Sequence, residues 1–283
     1  MSEKQIENPF ESYVFLSMLS ARITAKTPLR IGAGKGFGAL ESDLPVVKDG
    51  KGRPFLPGSS LKGFVRGNTQ RLLSNLYKDP SKLMIKVFGG SKGDEHASAI
   101  LFHDIPALDY KLQNRQHISI NPKRGAVQNL FNAESVLDGT VFEGHLATTR
   151  NLSPIHLGLF QPIFQLASLG AARLGGFKSR GYGTIEAKMT SLEFIIPGKS
   201  KDELLKGVEI SVPIGSGVPV HLMADGESVV LKEQAETRFK AEVKPAPHYI
   251  GVSIEMSPDN LEPFLEDMQR QLHEYLRSKV GLP

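Results

Sequence analysis

Leu174-Gly-Gly-Phe-Lys-Ser-Arg-Gly-Tyr-Gly183 sets four glycines around two cations, Lys178 and Arg180, and two aromatics, Phe177 and Tyr182. Glycine lets the backbone approach a partner closely or take positive φ. Cations beside aromatic rings suit a ligand made of phosphates and flat bases. A flexible connector would carry Ser and Gly here instead of Arg, Lys and Tyr. The stretch joins an apolar, helix-like run (156–173) to a strand-like Thr184-Ile-Glu-Ala187.

Upstream, residues 12–29 read as a strand, followed by a Gly-rich loop, a short strand at Pro45-Val-Val47 and a turn region ending at Gly58. Ser59 or Ser60 is placed to cap a helix running to about Tyr77. Its apolar face carries Leu61, Phe64, Val65, Leu72, Leu73 and Leu76, and its polar face Lys62, Arg66 and Arg71. Residues 99–108 and 117–120 read as strands, and 140–147 as another. Between the last two lies the polar stretch 121–138, with a turn at Lys123-Arg124-Gly125, expected to be a protruding hairpin. Strand, helix, two strands, helix and strand up to Ile196 predict an α+β, ferredoxin-like sheet with an inserted hairpin. Pro197-Gly-Lys-Ser200 breaks that pattern. The expected division is a core over 1–196 and an extension over 197–283, the latter of short strands and an amphipathic helix over 261–276.

The 283 residues suffice for a substantial core, and 40% hydrophobic with 23% charged residues is ordinary for a soluble protein. A net charge of +4 tilts only weakly towards anionic partners. With no cysteine, disulfides, thiolate zinc sites and cysteine nucleophiles are excluded. The amino-terminal residues lack the cationic-then-apolar order of a signal peptide, and no apolar run spans a membrane, so the expected location is the cytoplasm without membrane contact.

Pro57-Gly-Ser-Ser-Leu-Lys-Gly63 ends a loop and opens a helix, directing free N–H groups and a dipole outwards. Lys62 lies in the first turn, where a cation is disfavoured unless phosphate is nearby; the plainer alternative is a surface lysine. The loop 30–43 carries Arg30 and Lys35 on a glycine background. It has neither the spacing of a P-loop nor that of a dinucleotide-binding turn, which excludes both. Asp43 closes the loop, either as a solvated turn residue or as a carboxylate that holds a metal-bound water or orients a hydroxyl. His96, His103, His145 and His156 are too scattered for a metal site, and no nucleophile elbow is present. The tip residues Lys123 and Arg124, with Phe131 beyond, suit either a solvated loop or contact with nucleic acid.

Leu29-Arg-Ile-Gly32, Asp43-Leu-Pro-Val-Val-Lys-Asp49, Phe55-Leu-Pro-Gly-Ser-Ser-Leu-Lys-Gly63 and Leu174–Gly183 occur in an order that resembles the RAMP superfamily of CRISPR-associated proteins. The likeness covers roughly 12–196 and is to the backbone subunits of type III interference complexes. It implies an RRM-like core with a thumb hairpin at 121–138. It further implies copies of the chain stacked as a filament on a guide RNA (crRNA) beside other type III subunits, and metal-dependent cleavage of complementary target RNA, with Mg2+ the expected ion. On that likeness Asp43 is the catalytic and metal-binding residue. The expected RNA contacts are Arg30, Lys35, Ser59, Ser60, Lys62, Arg66, Lys123, Arg124, Lys178, Arg180 and Tyr182. Two departures stand out: residues 197–283 exceed the family core, and Arg30 occupies a position where several relatives carry histidine. Two alternatives remain: a non-catalytic RNA-binding subunit, or a processing endoribonuclease using a histidine such as His156.

Overall fold

The computed structural model describes residues 10–36, 42–77, 79–90 and 97–279. His96, Gly38, Glu41 and the amino-terminal segment read for targeting lie outside them. The first part of the chain comprises β1 (Leu16–Ala25), β2 (Phe55–Leu56), α1 (Gly58–Leu76), α2 (Ser81–Phe88), β3 (Ile100–Phe102), β4 (Ile105–Asp109), β5 (Leu112–Ile120), β6 (Val127–Val136), β7 (Val141–Arg150), α3 (Phe160–Ser168) and β8 (Ile185–Pro197). It is followed by α4 (Lys201–Lys206), β9 (Val208–Ile210), β10 (Val220–Asp225), β11 (Ser228–Lys232), β12 (Glu236–Pro245), β13 (Gly251–Met256) and α5 (Pro258–Lys279).

β1 buries Ser17, Leu19, Ala21, Ile23 and Ala25 and turns the residues between them towards the other face. That period of two fits a strand with one face on the core, and β1 is an inner strand, antiparallel to both β7 and β8. The neighbouring order β4-β7-β1-β8, with α1 and α3 as the connecting helices, is the ferredoxin-like arrangement the sequence predicts. β13 then pairs with β8, and β12, β11, β10 and β9 follow, so residues beyond 197 continue the same sheet to eleven strands. Phe194 on β8 meets Phe15 on one side and Phe239 and Phe264 on the other, so one aromatic core crosses the expected boundary. No described helix is long and apolar enough to cross a membrane.

Four local expectations need correction. Neither Ser59 nor Ser60 caps α1: Pro57 is the N-cap residue, and the Asp104 carboxylate accepts the Gly58 N–H at 2.7 Å. Gly58 is needed for that approach, since a Cβ there would lie 2.3 Å from the Phe102 carbonyl oxygen. The helix expected over 156–173 is a 3-10 turn at Pro154–Leu159 followed by α3, because Gly158 packs its Cα against the backbone of α5. The hairpin is longer than 121–138: β5 and β6 pair from Leu112↔Val136 to Ile120↔Val127, so the strand expected at 117–120 is its ascending arm. Finally, α2 has no counterpart among the predicted elements, although Met84, Val87 and Phe88 give it a buried face.

Candidate nucleic-acid interface

Arg30, beyond the end of β1, is buried at 9% exposure against the Gly-rich segment. The fit depends on glycine. Gly175 (φ +83°) passes so close that a Cβ would lie 2.3 Å from the Arg30 carbonyl oxygen, which accepts the Gly176 N–H at 2.7 Å. A Cβ on Gly32 would lie 2.7 Å from the Arg30 guanidinium. The guanidinium carbon is 5.2 Å from the Phe177 ring centroid, and Arg180 stands 4.9 Å from the same ring. Phe177 itself holds a left-handed conformation (φ 55°), which sets the 3-10 turn of Lys178–Arg180. No carboxylate pairs with Arg30 among the described residues, and its Nε is buried without a hydrogen bond. Burial holds the Arg30 pKa below its ordinary value. A cation so placed is destabilising unless an anion arrives.

Arg30 opens onto a cleft of about 380 Å³ between the Gly-rich segment and one flank of α1. Ser60, Gly63, Gly67 and Arg71 line that flank at helical spacing, while Gly176 and Lys178 line the other wall. Gly63 has nothing within 4 Å of a Cβ position, so the helix is bare towards the cleft. Glycine inside a helix costs about 1 kcal/mol relative to alanine, and neither protein packing nor φ requires it at Gly63. The cleft therefore admits a backbone at close range, beside fixed positive charge.

The predicted contact residues divide. Arg30, Ser60 and Lys178 share the cleft, with Arg180 on its aromatic wall. Lys62 and Arg66 are on a different flank of α1, about 100° or more round from Ser60. Burial, and secondarily the nearby Arg66, lowers the Lys62 pKa. Ser59 and Lys35 are exposed outside the cleft, and Lys123 and Arg124 are exposed at the thumb tip. Tyr182 is a correction: its ring is buried at 3% exposure beneath Phe177, so it supports the aromatic wall and presents no face for stacking.

The thumb docks onto this wall. On one face of the hairpin His117 stacks on Phe131 at 5.5 Å and meets Phe177 at 5.0 Å. Burial, followed by the charges of Arg180, Arg115 and Arg30, pushes the His117 pKa down, disfavouring its charged form among the guanidinium groups. Sequence reading missed His117. Its pairing with Phe131 across the hairpin could have signalled it, but only with the register known.

Asp43 starts a segment that runs along β6. Its Oδ2 accepts the Asn132 N–H at 2.7 Å, and the carboxylate is otherwise exposed. Leu44 bridges Ala133 in parallel, and Glu134 accepts from the Val46 N–H at 3.0 Å and from Lys48 Nζ at 2.8 Å. Among the described residues no group of three or more His, Asp or Glu forms a metal cage. One free carboxylate oxygen does fit Mg2+, which commonly keeps its waters and takes one or two carboxylates plus substrate phosphate. His156 is elsewhere: fully buried on the 3-10 turn, it borders a separate cleft with Tyr275 and Lys86, and its Nδ1–H donates to the Ser153 carbonyl.

Several known proteins are similar to this chain. A stretch of 61 residues is 48% identical to the CRISPR system Cms endoribonuclease Csm3 of Mycobacterium tuberculosis; it is 21% of this chain, and the chain spans only 24% of that protein's length. Chains in the type III-B Cmr-beta structures, one bound to cognate target RNA and one in the apo state, share 17% identity with TM-scores of 0.47 and 0.46. Each match covers 62% of this chain and 98% of the other. The family model of the RAMP superfamily matches residues 22–186, from β1 through the thumb and the Gly-rich segment into β8. The chain belongs to the RAMP superfamily.

Proposed function

We propose that this chain is a guide-RNA-binding backbone subunit of a type III CRISPR complex that cleaves complementary target RNA through Asp43. The observation that carries the RNA reading is Arg30: a guanidinium buried with no carboxylate partner among the described residues, at the floor of a cleft whose helical wall is opened by Gly63 and Gly67. A sugar–phosphate backbone supplies both the missing anion and a shape thin enough for the cleft. The other members are copies of this chain along the guide, other type III subunits and the target strand, all in the cytoplasm.

In the cleavage reading, the 2′-oxygen of target RNA attacks the adjacent phosphorus as the bond to the 5′-oxygen breaks. The products are a 2′,3′-cyclic phosphate and a 5′-hydroxyl, with the 2′-hydroxyl proton released and one taken up by the leaving oxygen. Asp43 orients the attacking hydroxyl with its free Oδ1, so the protein's contribution is mainly alignment. A hydrated Mg2+ held by Asp43 and RNA phosphate would supply charge neutralisation at the reacting phosphate. Asp43→Ala is expected to abolish cleavage in the assembled, guide-loaded complex with target affinity nearly unchanged. Full cleavage by that variant overturns the catalytic assignment.

The second reading, a purely structural subunit, is favoured by the solitary carboxylate with one oxygen already engaged. The processing-nuclease reading loses His156, which is enclosed on the 3-10 turn; the histidine against the Gly-rich wall is His117. Purifying the chain with its native partners and sequencing the accompanying RNA tests the class. Repeat-derived guides of one length are expected, and a random RNA population overturns it.

A further inference from the structure

Three successive residues grip the backbone of one thumb residue. The Ser42 hydroxyl donates to the Asn132 carbonyl at 2.9 Å, and the Leu44 N–H donates to the same oxygen at 3.1 Å. Between them the Asp43 carboxylate accepts the Asn132 N–H at 2.7 Å. Asn132 can offer both groups because it sits opposite Gln116 with its N–H and C=O turned away from β5, towards the loop. Ser42 is 8% exposed, so its hydroxyl bond is shielded from competing water, whereas Asp43 is open. Backbone bonds on the other side tie the same segment to the residues just after Arg30: Ala33 N–H to Pro45 O at 3.0 Å and Val47 N–H to Ile31 O at 2.8 Å.

We infer that Ser42 is a positioning residue for the Asp43 carboxylate, acting through the Asn132 backbone, so that the thumb strand and the carboxylate move as one body. The inference rests on the cleavage reading given above. Its physical content is rotational. A carboxylate held by one N–H can still pivot with its loop, because the Leu44 bond lies on only one side of it. The Ser42 bond closes the other side and fixes which oxygen remains free. Oδ2 is committed to the thumb, leaving Oδ1 as the single oxygen directed at RNA. The reacting geometry is then set by where the thumb lies.

The test is single-turnover cleavage by guide-loaded complexes carrying Ser42→Ala, Ser42→Thr or Asp43→Ala, with target affinity measured in parallel. Misplacement of a reacting group by about 1 Å costs on the order of a hundredfold in rate, so Ser42→Ala is expected to slow cleavage about tenfold to a hundredfold at unchanged target affinity. Ser42→Thr, which keeps the hydroxyl, is expected to restore most of the rate. A Ser42→Ala complex that cleaves at the parental rate while Asp43→Ala is inactive overturns the positioning role alone. Loss of target affinity in Ser42→Ala overturns it too, since that is a folding or binding effect. Parental cleavage by Asp43→Ala instead overturns the underlying reading.

Discussion

A guanidinium only 9% exposed, with no carboxylate beside it among the described residues, destabilises the unliganded chain, and the destabilisation is located at Arg30. Arg30→Met keeps the stem that packs near Phe177 and removes the charge. The free protein is expected to gain stability, on the order of 1 kcal/mol, in denaturant unfolding. RNA binding by the same variant is expected to weaken across all sequences, with the salt slope reduced by about 1. A variant that is no more stable and binds RNA at the parental slope would show that Arg30 is not an anion site. The sequence offers Arg30 as one cation in a glycine loop. What it hides is the absence of a counter-charge, which depends on which side chains the fold brings near.

Among the elements, the 3-10 turn at Pro154–Leu159 carries the clearest pH dependence. Enclosure pushes the His156 pKa from its usual 6.5 to about 4, only partly opposed by the Ser153 carbonyl. Between those values the unfolded chain binds a proton that the folded chain refuses. Stability is therefore full above pH 6.5 and falls as pH drops towards 4, by about 3 kcal/mol. Equilibrium unfolding across that range checks this, and His156→Asn, which retains an N–H donor without the titration, is expected to flatten the loss. The elements themselves are unequally legible. α1, β1 and the Gly-rich segment can be read because periodicity and glycine content are local signals. The thumb reads short because the start of its ascending arm, Gln113 to His117, is an unbroken polar run with no core to mark it, and only its last residues alternate. The start of α1 eludes the sequence because Asp104, which satisfies its first N–H, is 46 residues away. The clamp on Asn132 uses backbone groups of that residue and leaves no trace in its type.

At the scale of the whole molecule, the residues beyond 197 are structural partners of the core. β13 covers the free edge of β8 from Gly251↔Pro197 to Glu255↔Glu193, and α5 places Phe264 against Phe194. A chain ending at Pro197 would bare that edge together with Phe194, Leu192 and Ile196. It is expected to lose cooperative thermal unfolding and to aggregate, although the motifs of residues 30–183 are all retained. A sharp, reversible transition in that fragment would show that the core folds alone.

The large sheet ends in very short strands, with two residues in β2 and three in β9. The described chain thus gives another copy almost no rim on which to add a strand. The thumb is the opposite case. β5 has nine residues and a free side, and Ile118, Ile120, Val127 and Leu130 are each more than half exposed near the tip. If copies of this chain line up on one RNA, the wide sheet cannot zip them together prematurely. The strand edge left open is then the thumb's own, where the apolar residues near the tip invite a further strand.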